Sequence, residues 1–281
     1  MGIKIIADSC CDLPGFYENE WGVSLIPLKI TVGSATYTDD GSIDAGELIQ
    51  AMKSCPSSPS TACPSPSDYA DAMSGDDDVF VVTLSSQLSG SYQSAKAGVE
   101  LKHGSGRVHV LDSQSASAGE VLLVHNLLRL VKEGLGFSEI ALRAEKLAAD
   151  MKTFFVLQSL DNLIKAGRIS RLVGQLASIL HMRPIMGEDG AGSILLLEKA
   201  RGTQNAMKRL GELVIETAEK AKTMLPARDT LVIAHCNCLE RAQELKKQVL
   251  RGSSVIRNVL IVATGGLSTV YANDGGIVVG Y

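Results

Sequence analysis

The sequence predicts an α/β protein of two domains, the first with a mainly parallel sheet flanked by helices and the second a smaller mixed α/β domain. Three observations carry this. Short runs rich in Val, Ile and Leu alternate with helix-period segments from the first residues onward. The rhythm of that alternation changes after residue 151, which divides the chain into 1–150 and 151–281. A chain of 281 residues, 45% hydrophobic and 21% charged, also has enough apolar material for two medium cores.

In the first domain the strand candidates are Ile3 to Ala7, Val23 to Ile30, Val79 to Leu84 and Arg107 to Leu111. Helices are expected over Tyr92 to Leu101 and over Glu120 to Glu133, the latter stopped by Gly134. Ser138 is placed as the cap of a third helix running to Asp150, with Phe137 stapled onto Leu142. Four of the chain's eight prolines fall between Ser54 and Ser67. That stretch reads either as a disordered Ser/Pro linker or as a stiff loop inside the first domain, and the structured candidates on both sides favour the loop.

In the second domain the strand candidates are Thr153 to Leu157, Ile194 to Glu198, Thr230 to His235, Val255 to Val262 and Ile277 to Tyr281. Gln204 to Met224 reads as one long helix with its apolar stripe through Met207, Leu210, Leu213 and Val214, and Leu239 to Leu250 as another. Tyr271 to Gly276 reads as a turn before the last strand.

Charge and composition remove several classes of function. A net charge of −4 gives no footprint for wrapping DNA or RNA, and with 4% aromatics and Trp21 alone there is no base-stacking platform. Apolar runs end far short of the ~20 residues of a membrane span. The first strand meets Asp8 too soon to form a signal-peptide core, so the expected location is cytoplasmic. The cysteines lack zinc-finger spacing. His235, Cys236 and Cys238 form one metal-like grouping, but Cys236 at the end of a buried strand reads better as a small core residue, and no metal is assigned.

The candidate chemistry lies at strand ends. Ile3 to Ala7 runs into Asp8-Ser9, Val79 to Leu84 into a serine stretch from Ser85 to Ser91, and Arg107 to Leu111 into Asp112-Ser113-Gln114-Ser115. In an open parallel sheet these ends line one edge, where ligands bind. Hydroxyls and free backbone N–H groups there suit a carboxylate or phosphate; the same residues also serve as ordinary helix caps. Arg168, within Lys165-Ala166-Gly167-Arg168-Ile169-Ser170-Arg171, is a fixed planar cation suited to the same oxygens, or a solvated helix end. There is no G-x-S-x-G elbow, no G-x-x-x-x-G-K-[ST] loop and no H-E-x-x-H. His103, His109, His125, His181 and His235 each lack a recognisable catalytic setting.

These residues together resemble the DegV family, which includes the FakB-type fatty-acid-binding subunits of bacterial fatty acid kinase. The matching features are Asp8-Ser9 with Asp12-Leu13, Ile26-Pro27-Leu28, Thr61 with Pro64, Leu84 to Ala95, Asp112-Ser113, Gly167-Arg168-Ile169 and Arg183-Pro184-Ile185. The resemblance implies a protein that is not an enzyme by itself and has no catalytic residue and no cofactor. It holds a long-chain fatty acid and presents its carboxylate to an ATP-binding kinase subunit, with only transient contact to a membrane surface.

Carried over, the ligand-binding set is Thr61, Ser89, Ser86, Arg168, Ser60 and Tyr271. Two departures stand out: Ala62-Cys63 where the family has Ser-Gln, and Tyr271-Ala272-Asn273 where it has a histidine followed by Thr-Gly. The alternatives are a serine-dependent hydrolase or acyl transferase using one of Ser85 to Ser91, and a small-anion-binding protein without lipid.

Overall fold

The computed structural model describes residues 2–13, 22–176, 182–221 and 228–281. The chain begins with β1 (Ile3–Asp8), β2 (Ser24–Ile26), β3 (Lys29–Val32), β4 (Ala35–Thr38), α1 (Ala45–Ser54), β5 (Ser60–Ala62) and α2 (Pro66–Met73). It continues through β6 (Asp78–Thr83), α3 (Ser91–Val99), β7 (Val108–Asp112), α4 (Ala118–Lys132), α5 (Phe137–Asp150), β8 (Thr153–Val156) and α6 (Asp161–Lys165). A 3-10 turn at Ser170–Leu172 leads into α7 (Val173–Leu176). Then follow β9 (Met182–Glu188), β10 (Ile194–Arg201), α8 (Gly202–Ala221), β11 (Thr230–His235), α9 (Leu239–Gly252), β12 (Asn258–Ala263), α10 (Gly266–Ala272) and β13 (Ile277–Gly280).

The first sheet, in order β2-β1-β6-β7, is parallel throughout. Its central β6 is buried at every residue, because helices cover both faces. The strand period of two divides its side chains. Ile6, Val79 and Val81 pack on α2 and α3, while Ile5, Ala7, Phe80 and Val82 pack on α4 and α5. The second sheet, in order β10-β9-β8-β13-β11-β12, is antiparallel except for the β11–β12 pair. α4 lies between the two sheets: Val121 to Val124 share one apolar cluster with Ile5 and Phe80 of the first and Val232, Ala234 and Val262 of the second. A small antiparallel sheet, β4-β3-β5, stands beside the first. Among the described residues no helix is long and apolar enough to cross a membrane.

Several local expectations need correction. The single strand over Val23 to Ile30 is two strands in two sheets, because Pro27 offers no N–H and ends the ladder with β1. The cap of α5 is Gly136, and Phe137 is its first residue. In that register Leu142 lies five residues on, turned ~140° round the helix, so the Phe137–Leu142 staple does not form. Leu142 is 73% exposed, and Phe137 packs on Phe80 at 4.7 Å between ring centroids and under the Arg107 guanidinium.

The Ser/Pro stretch is ordered and partly regular: β5 lies within it, and Pro66 opens α2 at a position where a missing N–H costs no hydrogen bond. Ser65 closes a capping box there, its Oγ accepting from Asp68 N while Asp68 Oδ2 accepts from Ser65 N. Tyr271 and Ala272, read as part of a turn, form the last residues of α10. Met224 lies outside the described residues.

Candidate functional site

The carboxyl ends of β1, β6 and β7 face the inner surface of the second sheet, and between them lies a cavity of about 340 Å³. Leu28, Leu84, Phe155, Leu157, Leu163 and Val278 give it an apolar wall. Thr61, Cys63, Ser89, Gly90 and Arg168 form one end. β5 delivers Thr61, and strand alternation places Ser60 and Ala62 on the opposite side of that strand from it.

Thr61 Oγ1 lies 2.8 Å from the phenolic oxygen of Tyr271. Ser89 Oγ is 3.0 Å from Ser91 Oγ and accepts from Ser91 N at 3.2 Å, which fixes it at the entrance to α3. Arg168 donates from Nε to Leu88 O at 3.0 Å and from Nη1 to Ala166 O, so its guanidinium is tethered to backbone at the rim and exposed to solvent.

Of the six carried-over residues, the structure brings Thr61, Ser89, Arg168 and Tyr271 to the cavity wall and leaves Ser60 and Ser86 off it. Ser60 is exposed on the edge strand. Ser86 sits half-buried with its N–H on Asp112 Oδ1 at 3.1 Å, a turn-fixing contact. None of His103, His109, His125 or His235 lines the cavity, and His181 lies outside the described residues. His235 Nδ1 accepts from Cys238 N at 3.4 Å and Cys236 is buried with its thiol toward Thr269, which is the core reading of that grouping.

Sequence reasoning missed a set of buried acids beneath this site. Asp8 accepts from Leu84 N at 2.9 Å and Cys10 N at 3.1 Å, joining the ends of β1 and β6. Asp12 accepts from Ser117 Oγ at 2.5 Å and Gly265 N at 2.8 Å. Asp39 accepts from Ser9 Oγ at 2.9 Å and from Gly266 N and Leu267 N at 2.8 and 2.9 Å, holding the start of α10. Glu120, fully buried, finds no donor for either carboxylate oxygen among the described residues.

Desolvation dominates all four. It lifts Asp8 to about 6 and Asp12 to about 7, raises Asp39, and drives Glu120 well above the usual carboxylate range, with the charge of Asp8 adding to the effect. Asp8, Cys10 and Glu120 each bring one ligand atom within 4.8 Å of the others, a spacing compatible with a cation. Both oxygens of Asp8 already accept backbone N–H bonds, however, and burial favours the protonated acids, so the group has the chemistry of carboxyls sharing protons. The one signal available in sequence was a glutamate inside an otherwise apolar helical run, Ala118 to Val124.

An α/β scaffold that holds a largely apolar cavity with hydroxyls and an arginine at its rim has the form of a ligand-holding protein. The chain belongs to the DegV family, whose family model, described as one of uncharacterised proteins, matches residues 2–281. A DegV domain-containing protein of Streptococcus pneumoniae is 34% identical over 284 residues, covering 99% of this chain and 98% of the relative. Among solved structures, a DegV family protein from Ruminococcus gnavus with vaccenic acid superposes with a TM-score of 0.91 at 38% identity, covering 99% of each chain. The Streptococcus pneumoniae fatty acid kinase B3 protein loaded with linoleic acid superposes at 0.87 with 31% identity, covering 100% of this chain and 99% of that one.

Proposed function

We propose that this chain binds a long-chain fatty acid in the cavity, with its carboxylate at Thr61, Ser89 and Tyr271, and presents it to an ATP-binding kinase subunit in the cytoplasm for acyl phosphate formation. In this reading residues 1–150 carry the Ser/Thr part of the carboxylate site, and residues 151–281 cover the tail and add Tyr271 to the rim. The observation that supports it best is the pairing of an apolar enclosure with a hydroxyl rim in a fold whose relatives are loaded with fatty acids.

A tail of ~15 methylenes buried at ~0.8 kcal/mol each gives about 12 kcal/mol before ordering costs, so the tail dominates affinity and the rim has only to orient the head. Neutral hydroxyls hydrogen-bond the carboxylate without a strong positive field, which leaves it nucleophilic toward the γ-phosphoryl group. Arg168, at the rim and exposed, is placed to meet the charge that gathers during transfer. No step requires a nucleophile from this chain. Exchange of lipid involves transient contact with a membrane surface.

The experiment is organic extraction of the purified, denatured protein with mass spectrometry, followed by titration with added fatty acids. About one long-chain fatty acid per chain is expected. A protein that carries no lipid and takes up none at several chain lengths overturns the reading.

A further inference from the structure

The end of the cavity away from the rim is polar. Leu157, Phe155 and Thr153 present alternate positions of β8 and its exit to the cavity, so Thr153 lies ~13 Å along the wall from Leu157, which packs beside the Arg168 segment through Leu163 and Ile169. At that far end Thr153 Oγ1 is 2.6 Å from Ser115 Oγ, and both residues are more than nine-tenths buried. Gln114 and Glu188 stand beside them in the same wall.

Glu188 accepts from Lys152 Nζ at 2.8 Å and from Gly190 N, with only 10% of its side chain exposed. Thr153 and Glu188 also line a shallow outer hollow with Lys152, Asp189 and Lys220, so a single layer of polar side chains separates the cavity from a charged surface. The hydroxyl pair spends one of its two protons on itself; among the described residues the other finds at best Ala116 O, 3.5 Å from Ser115 Oγ, a weak partner. A cavity built only for a methyl terminus has no use for two buried hydroxyls and a carboxylate at its floor, because each must be desolvated and satisfied there.

Resting on the fatty acid reading above, we propose that Ser115, Thr153 and Glu188 form a second, distal subsite that takes an acyl chain bearing a hydroxyl at or near its methyl end. The rim then holds the carboxylate, the apolar wall the methylenes, and the floor the distal hydroxyl, which donates to Glu188 or to the hydroxyl pair and accepts the underused proton. A hydroxyl buried against an apolar floor is rejected by about tenfold or more; here that cost is offset.

The test compares dissociation constants of straight saturated fatty acids with those of their terminally hydroxylated counterparts, over a series of increasing length, by displacement of a fluorescent fatty acid. At the length that reaches the floor, the wild-type protein should bind the hydroxylated acid within about threefold of the plain one. In the Ser115→Ala/Thr153→Val variant the hydroxylated acid should fall at least about tenfold behind the plain one, and Thr153→Ser alone should restore the wild-type ratio when paired with native Ser115. Thermal unfolding checks that each variant is folded, and the single variants serve if the double one is not. A wild-type protein that rejects the hydroxylated acid tenfold at every length, or a ratio that none of the variants changes, overturns the proposal. Failure of both series to bind overturns the fatty acid reading itself, and the distal subsite with it.

Discussion

The phenolic hydroxyl of Tyr271 lies 2.8 Å from Oγ1 of Thr61, so the rim of the cavity is closed by two residues 210 positions apart in the chain. One comes from an edge strand, the other from the last turn of α10, and neither has meaning for a ligand without the other. Their hydroxyls and that of Ser89 are the proposed cradle of the carboxylate.

Removing any of these hydroxyls should weaken fatty acid binding. Thr61→Ala, Ser89→Ala and Tyr271→Phe are each expected to cost ~1–3 kcal/mol, several-fold or more in dissociation constant, because a buried carboxylate loses a donor. Thr61→Ala combined with Tyr271→Phe should cost less than the sum of the two, since they share a hydrogen bond. Ser105→Ala, which removes only a surface contact to Asp76, is the control. Wild-type affinity in folded Thr61→Ala and Ser89→Ala would remove the assignment.

Arg168→Ala should separate binding from transfer. The guanidinium is exposed and tethered by backbone carbonyls, so its loss is expected to leave lipid affinity within a few-fold of wild type. With the host's kinase subunit and ATP, acyl phosphate formation should fall by tenfold or more, since electrostatic stabilisation acts where charge develops. Unchanged phosphorylation would take Arg168 out of the mechanism.

Asp39 does not itself line the cavity but holds the first amides of α10, the helix that ends at Tyr271 and Ala272. In Asp39→Asn one acceptor oxygen becomes an amide that faces N–H groups instead of receiving them. Fatty acid affinity should drop several-fold together with the unfolding midpoint, with no change in chain-length preference. An unchanged affinity at a lowered midpoint would show that the position of Tyr271 does not depend on this cap.

The buried acids should make stability depend on pH in an uncommon direction. Burial pushes Asp8 up to about 6 and Asp12 up to about 7, against 3.8 for a free aspartate, so the native state binds protons that the unfolded chain has released. Their contribution is complete below pH 4 and is lost as pH rises through 6 and 7. Other groups add their own slopes, so the variant is the sharper test. Glu120→Gln keeps the shape, supplies an amide donor toward Asp8 and removes the acid that burial opposes most. It is expected to stabilise the protein by about 1–2 kcal/mol at pH 8, roughly 2–8 °C in midpoint, and by less at pH 5. A loss of stability at pH 8 would mean that Glu120 has a partner worth more than its desolvation.

Much of this was legible in the residues and some was not. The parallel sheet announced itself because fully covered strands such as Val79 to Thr83 are continuous apolar runs, and the serines after Leu84 marked the edge where they end. Thr61 and Tyr271 were each nameable, but their contact was not. β5 has one partner strand, β3, and lies in a proline-rich stretch with no apolar alternation to reveal it. The fate of Glu120 was hidden for another reason: an acid in the first turn of a helix looks like an ordinary complement to the helix dipole, and only the fold sets it, fully buried, against Asp8 and Cys10 at the end of β1. The polar floor escaped notice because Ser115, Thr153 and Glu188 belong to three separate segments joined only by the fold.

Of all the strands in the second sheet, β13 is the last to be translated, yet it lies in the interior between β8 and β11. While the ribosome is still making it, that sheet is two unjoined halves, with the backbone edges of β8 and β11 unpaired and the apolar faces around Val278 open to water. Tyr271 is made only shortly before, so a nascent or prematurely stopped chain has neither a finished sheet nor a closed rim. Closure of the rim and of the second sheet therefore waits on residues 271–280, and a chain cut just before residue 277 should behave as a client of chaperones and proteases rather than as a folded protein with a weakened site.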